Sequence, residues 1–124
     1  MSALLNERGR LPKAPTMTAS RRERIEAMLA DDPRDAFLRY SLALELSKTG
    51  EHDRSLELLH GLTADDPPYV PAFFMSGQQL AQLGRINEAR AVLRDGIEQA
   101  RRSGDSHAAG EMSEFLASLG ARGD

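Results

Sequence analysis

Cysteine is absent from the 124 residues. That excludes disulfides, thiolate metal sites and a cysteine nucleophile, and leaves packing as the source of stability. Long apolar runs are missing too: the longest stretches are a few residues, far short of the ~20 a bilayer-spanning helix requires, so no membrane embedding is expected. Ala3-Leu4-Leu5 is followed at once by Asn6, Glu7 and Arg8. This provides no apolar core for a secretory signal, and cytoplasmic residence is the expectation. An excess of basic charge is also lacking. The 16 Lys and Arg face 19 Asp and Glu, a net charge of −3. Such a mildly acidic surface offers no phosphate-binding face and argues against nucleic acid as a partner.

Catalytic signatures are equally scarce. There is no phosphate-cradling Gly-rich loop and no Gly-x-Ser-x-Gly elbow, so no enzymatic activity and no cofactor are expected. Of His52, His60 and His107, only His107 has a carboxylate four residues away, Glu111. One such pair reads as a surface contact, and no metal is expected. The terminal Arg122-Gly123-Asp124 spells an adhesion tripeptide, but three common residues at a chain end are assigned no function. No segment alternates apolar and polar residues as a half-buried strand does, which predicts an all-α chain.

What is present is an ordinary globular balance, 40% apolar and 28% charged, sufficient for one domain with one core. Residues 1–17, with Gly9, Pro12, Pro15 and no sustained period, read as a disordered arm. A domain is expected over 18–120. Ser20 and Glu23 have capping-box spacing, followed by an Ile25, Met28, Leu29 stripe, and predict a helix over 20–30. Asp31-Asp32-Pro33 then recurs 34 residues on as Asp65-Asp66-Pro67, and Gly50 and Gly84 keep the same interval. Asp32 is expected to cap a helix opened by Pro33, with Asp35 in its first turn. Further helices are predicted over 35–48, 53–64, 71–83, 86–102 and 105–119, the fourth delayed to Pro71 because the residue before a proline avoids helical geometry. The last carries Ala108, Met112, Phe115 and Leu119 on one face and Glu111, Ser113, Glu114 and Ser118 outside it.

The 34-residue unit resembles the tetratricopeptide repeat, a pair of antiparallel helices with the pattern W-x2-L-G-x2-Y, A-x3-F, P. In residues 36–69 the pattern positions hold Arg39, Leu42, Ala43, Leu46, Ser55, Leu59 and Pro67, so the first aromatic is lost. In residues 70–103 they hold Phe73, Ser76, Gly77, Leu80, Ala89 and Leu93, and Arg101 stands where the proline would be. The resemblance implies a right-handed superhelical stack of two full repeats, a preceding half-repeat at 20–30 and a C-terminal capping helix. It implies small residues at 43, 55, 77 and 89 where paired helices touch, and large core leucines at 59 and 93. Gly96 is expected to permit close approach of a neighbouring helix.

The same resemblance implies a scaffold that binds a protein or peptide in a concave groove lined by the first helix of each repeat. Carried over by register, the groove positions are Phe37, Tyr40, Leu44, Ser47 and Lys48, then Pro71, Phe74, Gln78, Ala81 and Gln82. Phe37 and Leu44 have a competing reading as core. Tyr40 and Leu44 stand where the carboxylate-gripping members of the family need Lys and Asn, so an apolar peptide fits better than an acidic terminus. The alternative function is self-association, with the half-repeat or the groove docking a second copy.

Overall fold

The computed structural model describes residues 19–120. The arm expected over 1–17 and the terminal tripeptide lie outside the described residues. Within them are six helices and no strand: α1 (Arg21–Asp31), α2 (Ala36–Lys48), α3 (His52–Ala64), α4 (Val70–Gln82), α5 (Ile86–Arg102) and α6 (Ser106–Ser118). Each packs on its neighbour in sequence, and α4 also touches α6. The result is an all-α stack of helix pairs.

Two kinds of punctuation set these boundaries. At Gly50, Gly84 and Gly104 the chain turns with φ of 79°, 81° and 78°, a left-handed geometry that a side chain would strain. Each glycine N–H returns to the carbonyl three residues back. The next residue bonds the carbonyl five back: Glu51 to Leu46 at 2.9 Å, Arg85 to Leu80 at 2.9 Å and Asp105 to Ala100 at 2.8 Å. These paired bonds close the last turns of α2, α4 and α5 in the same way. The Asp-Asp-Pro triplets punctuate the other joints. The expected capping box of α1 is present, Ser20 Oγ accepting from the Glu23 amide and the Glu23 carboxylate from the Ser20 amide.

Three local expectations are corrected. Asp32 does not open α2: its amide donates to Met28 O and ends α1, Pro33 occupies a turn closed by Asp35 N to Asp32 O, and Asp35 caps α2 by accepting from Leu38 N at 2.8 Å. Pro33 serves that turn at the corner its fixed φ suits. α4 begins at Val70 rather than Pro71, with Tyr69 extended at the N-cap. The N–H that Pro71 lacks would have had no helical partner there, and half-buried Val70 packs against the core, which offsets the pre-proline restriction. Met28 is not part of a buried stripe, being 47% exposed; of the large apolar side chains of α1, Ile25 and Leu29 are the two that pack with Leu42 and Leu46 of α2.

The pairs close on small residues. Ser55 Oγ donates to Ala43 O at 2.7 Å, joining α3 to α2. In the next pair a Cβ on Gly77 would lie 2.6 Å from Leu93 Cδ2, and one on Gly96 would lie 2.5 Å from Phe73 Cβ and 2.6 Å from Met112 Sδ. Neither position has room for a methyl group, so α5 is held tight against both α4 and α6. Leu59 and Leu93 are fully buried. A polar thread ties the two pairs together: His52 Nδ1 meets Gln79 Oε1 at 2.9 Å, and Gln79 Nε2 donates to Ser55 Oγ at 3.0 Å. Gln79 is 2% exposed, and these bonds satisfy both ends of its amide, as burial demands.

The interval changes at α6. α5 has 17 residues where α3 has 13, running through the place of a third Asp-Asp-Pro. Ala109, Met112 and Leu116 therefore stand 37 residues after Ala72, Met75 and Gln79, the side of α4 that faces α3. They take the corresponding side of α6 against α5. This corrects the expected α6 stripe: Ala109, Met112 and Leu119 are buried, whereas Ala108 and Phe115 are half-buried, as is Ser113.

Candidate functional site

Tyr40 lies on the second turn of α2 and Phe74 on the second turn of α4, at equivalent points of successive pairs. Neither ring is free of the core. Tyr40 tilts against Tyr69 with centroids 5.5 Å apart at 57°, and Phe74 against Phe115 at 5.8 Å and 60°, both geometries favoured by the ring quadrupoles. Burial, and after it the neighbouring Tyr69, raise the Tyr40 hydroxyl above its ordinary pKa; burial does the same to Tyr69. Each rests on a core cluster by one flank.

Their other flanks share one concavity of about 250 Å³. Its first wall is Tyr40. Val70, Pro71, Phe74 and Gln78 of α4 form its floor, and Asp105, His107, Ala108 and Glu111 of the α6 segment form the far wall. Asp105 accepts from Ala108 N at 3.0 Å and caps α6. His107 Nε2 lies 3.2 Å from Glu111 Oε1, both well exposed. The lining includes two carboxylates and no Lys or Arg.

The remaining register positions do not meet there. Phe37 is 62% exposed and lies outside the lining, while Leu44 and Ser47 are half-buried elsewhere on α2. Lys48 is exposed and donates to Glu45 at 2.9 Å; Gln82 is exposed at the end of α4. Ala81 is corrected outright. It is 2% exposed and packs in the core with Leu80 and Ile86, because the last turn of α4 faces α5. Larger concavities of about 470 and 530 Å³ lie at the Asp-Asp-Pro joint and beside Gly50. Their charged linings include Arg39, paired with Asp65, and Glu51, paired with Arg22. Among the described residues no His, Asp and Glu group suits a metal, and no helix is long and apolar enough to cross a membrane.

No family model matches the chain. The TPR repeat-containing protein PA0015 of Pseudomonas aeruginosa is 31% identical over 97 residues, which cover 78% of this chain and 92% of that protein. The chain belongs to the tetratricopeptide repeat family. Solved structures agree. A tetratricopeptide repeat domain protein from Salinibacter ruber is similar with a TM-score of 0.67 and 32% identity, over 71% of this chain and 89% of that one. Protein BPP2914 from Bordetella parapertussis is similar with a TM-score of 0.70 and 29% identity, over 82% and 89%.

Within a tetratricopeptide array, α2 and α4 are first helices, α3 and α5 second helices, and α6 a further first helix. The far wall of the groove, Ala108 and Glu111, falls on the positions Pro71 and Phe74 occupy in α4, at the 37-residue interval. That shift is the signal by which the sequence could have revealed the α6 contribution. A fixed 34-residue register reaches Asp105, Ala108 and Met112 of the same lining but misses His107 and Glu111.

Proposed function

We propose that this tetratricopeptide protein is an interaction scaffold that holds a short apolar peptide segment in the groove between α2, α4 and α6. The observation that carries this reading is the convergence of Tyr40, Phe74 and Gln78 with Glu111 on one concavity. Aromatic walls fixed by ring partners supply contact area at little further cost in side-chain entropy, the character of interface hot spots. Asp105 and Glu111 on the rim, with no cation in the lining, favour a segment whose apolar anchor is flanked by Lys or Arg.

The test exploits the exposure of Gln78. A tryptophan there fills the groove from the solvent side and leaves the ring pairs intact. Peptides selected from a random display library on the wild-type chain should carry an aromatic or aliphatic anchor next to a basic residue. They should bind the Gln78→Trp variant at least about tenfold more weakly, roughly 1.4 kcal/mol. Selected peptides that bind both proteins equally would rule the groove out as the binding surface.

A further inference from the structure

The groove leaves one surface unused, and it lies at the opposite face of α6. In each complete pair the first helix presents four positions to the second. In α4 these are Phe73, Ser76, Gly77 and Leu80, against which α5 sets Ala89, Leu93 and Gly96. The 37-residue interval puts Gly110, Ser113, Glu114 and Ala117 at the same positions of α6. Among the described residues no helix covers them. A concavity of about 370 Å³ lies there, lined by Arg101, Gly104, Ser106, Ala109, Gly110 and Ser113, and a Cβ on Gly110 would meet nothing within 4 Å.

α1 has the reciprocal character. It packs on α2 as α3 packs on α4, so it is a second helix. Counting back 34 residues from Ser55, Leu59 and Leu62, its positions toward a first helix are Arg21, Ile25 and Met28. Arg21 is 61% exposed, although it lies 3.6 Å from Glu45 of its own α2, and Met28 is 47% exposed, while Ile25 is already buried against Leu42 and Leu46 of α2.

The two faces match in size and in charge. In the α4–α5 pair a large residue, Phe73, meets a glycine, Gly96. Between α6 and a copy of α1 the sizes are exchanged: Gly110 is opposite Met28. Where Ala43 meets Ser55 in the α2–α3 pair, the same positions bring exposed Glu114 opposite Arg21. We infer that the chain associates head to tail, α1 of one copy seating on α6 of the next to complete a tetratricopeptide pair across the junction. The contact is heterologous and leaves a free face at each end, so association extends rather than closing at a dimer. One helix face is a small interface, and weak, concentration-dependent association is expected.

Sedimentation equilibrium of the full chain tests this at concentrations up to on the order of 1 mM, the range in which so small an interface becomes populated. The weight-average mass should rise above the 13.6 kDa of one chain. Gly110→Leu, whose Cβ would meet nothing within 4 Å in its own fold, should fill the seat and keep the chain monomeric with an unchanged helical circular dichroism spectrum. Arg21→Glu and Glu114→Arg should each weaken association at least about tenfold. Mixed in equal amounts the two variants should recover it, since every junction between unlike copies then pairs opposite charges. A wild-type mass independent of concentration would overturn the inference, as would association unaffected by Gly110→Leu. Failure of the mixed variants to recover would overturn the assigned register. None of these outcomes depends on the groove, because Gln78→Trp leaves both faces untouched.

Discussion

The two end helices are attached by opposite means. α6 is held by burial. Ala109, Met112 and Leu119 join the largest core cluster, and Arg90 Nη2 donates to Leu119 O at 2.9 Å. α1 buries Ile25, sets half-buried Leu29 beside it, and is otherwise clasped by charge: Arg22 pairs with Glu51 in the α2–α3 turn, and Arg21 lies 3.6 Å from Glu45. Burial is insensitive to salt and carboxylate protonation, whereas exposed ion pairs contribute little and respond to both. The stack therefore has a firm end, which also walls the groove, and an end that conditions can loosen.

The comparison is broken most severely at Met112. Met112→Ala should cost about 2–5 kcal/mol in denaturant unfolding, because it empties a fully buried site between α5 and α6. Ile25→Ala should register mainly as faster amide exchange confined to α1, with the global midpoint shifted much less. A global loss from Ile25→Ala equal to that from Met112→Ala would erase the distinction between the ends.

Gly96→Ala comes next. The added methyl collides with Phe73 Cβ and Met112 Sδ, and overpacking of this kind costs about 1–3 kcal/mol, partly offset by the ~1 kcal/mol that alanine gains over glycine in a helix. A net stabilisation in thermal unfolding would show that α4 and α6 can part without cost.

A smaller effect should follow acidification. The Thr49 hydroxyl, and after it Arg22, hold the Glu51 carboxyl below the ordinary glutamate pKa. A depressed folded-state pKa contributes stability that is complete above the ordinary value and is lost as pH falls through the lowered one. After correction for intrinsic rates, α1 amides should exchange faster across that window and α6 amides should not. Glu51→Gln should reduce the difference between α1 at high and low pH, leaving the part due to Glu23, whose carboxyl the Ser20 amide and hydroxyl also hold below its ordinary pKa.

The smallest expected effect is that of salt. At about 1 M, where the screening length is roughly 3 Å, α1 protection should fall slightly and α6 protection hold or rise.

Much of the fold was legible because its punctuation is local. Asp-Asp-Pro and Gly act within a few residues of where they stand, and together with the Ser20 capping box and the apolar pattern of the last segment they placed six helices to within a residue of their observed ends. Ala43, Ser55 and Gly77 were readable as close contacts because a small side chain at a repeat position has a meaning of its own. What escaped was set at long range. Gln79 carries no mark of its burial, since the partners that satisfy it, His52 and Ser55, lie on another helix. Tyr69 stands outside any helix, and nothing near it in sequence reveals its contact with Tyr40. Half of the groove comes from α6, whose register departs from the interval that made the rest visible. Asp35 was read as a first-turn anion when it is the cap, since three aspartates around one proline leave that choice to the turn geometry.

Gly96 has a consequence in the currency of sequence change. It belongs to α5, which supplies no wall of the groove, yet the missing methyl there sets how near Met112 and its helix come to Phe73 and the floor. Every single-base change to a glycine codon that replaces the glycine with another amino acid adds a side chain. Drift at this one site would therefore widen the cleft in steps, leaving each contact residue as it was. Relatives could diverge in what they accommodate through a buried position of α5 that no alignment of groove residues would include.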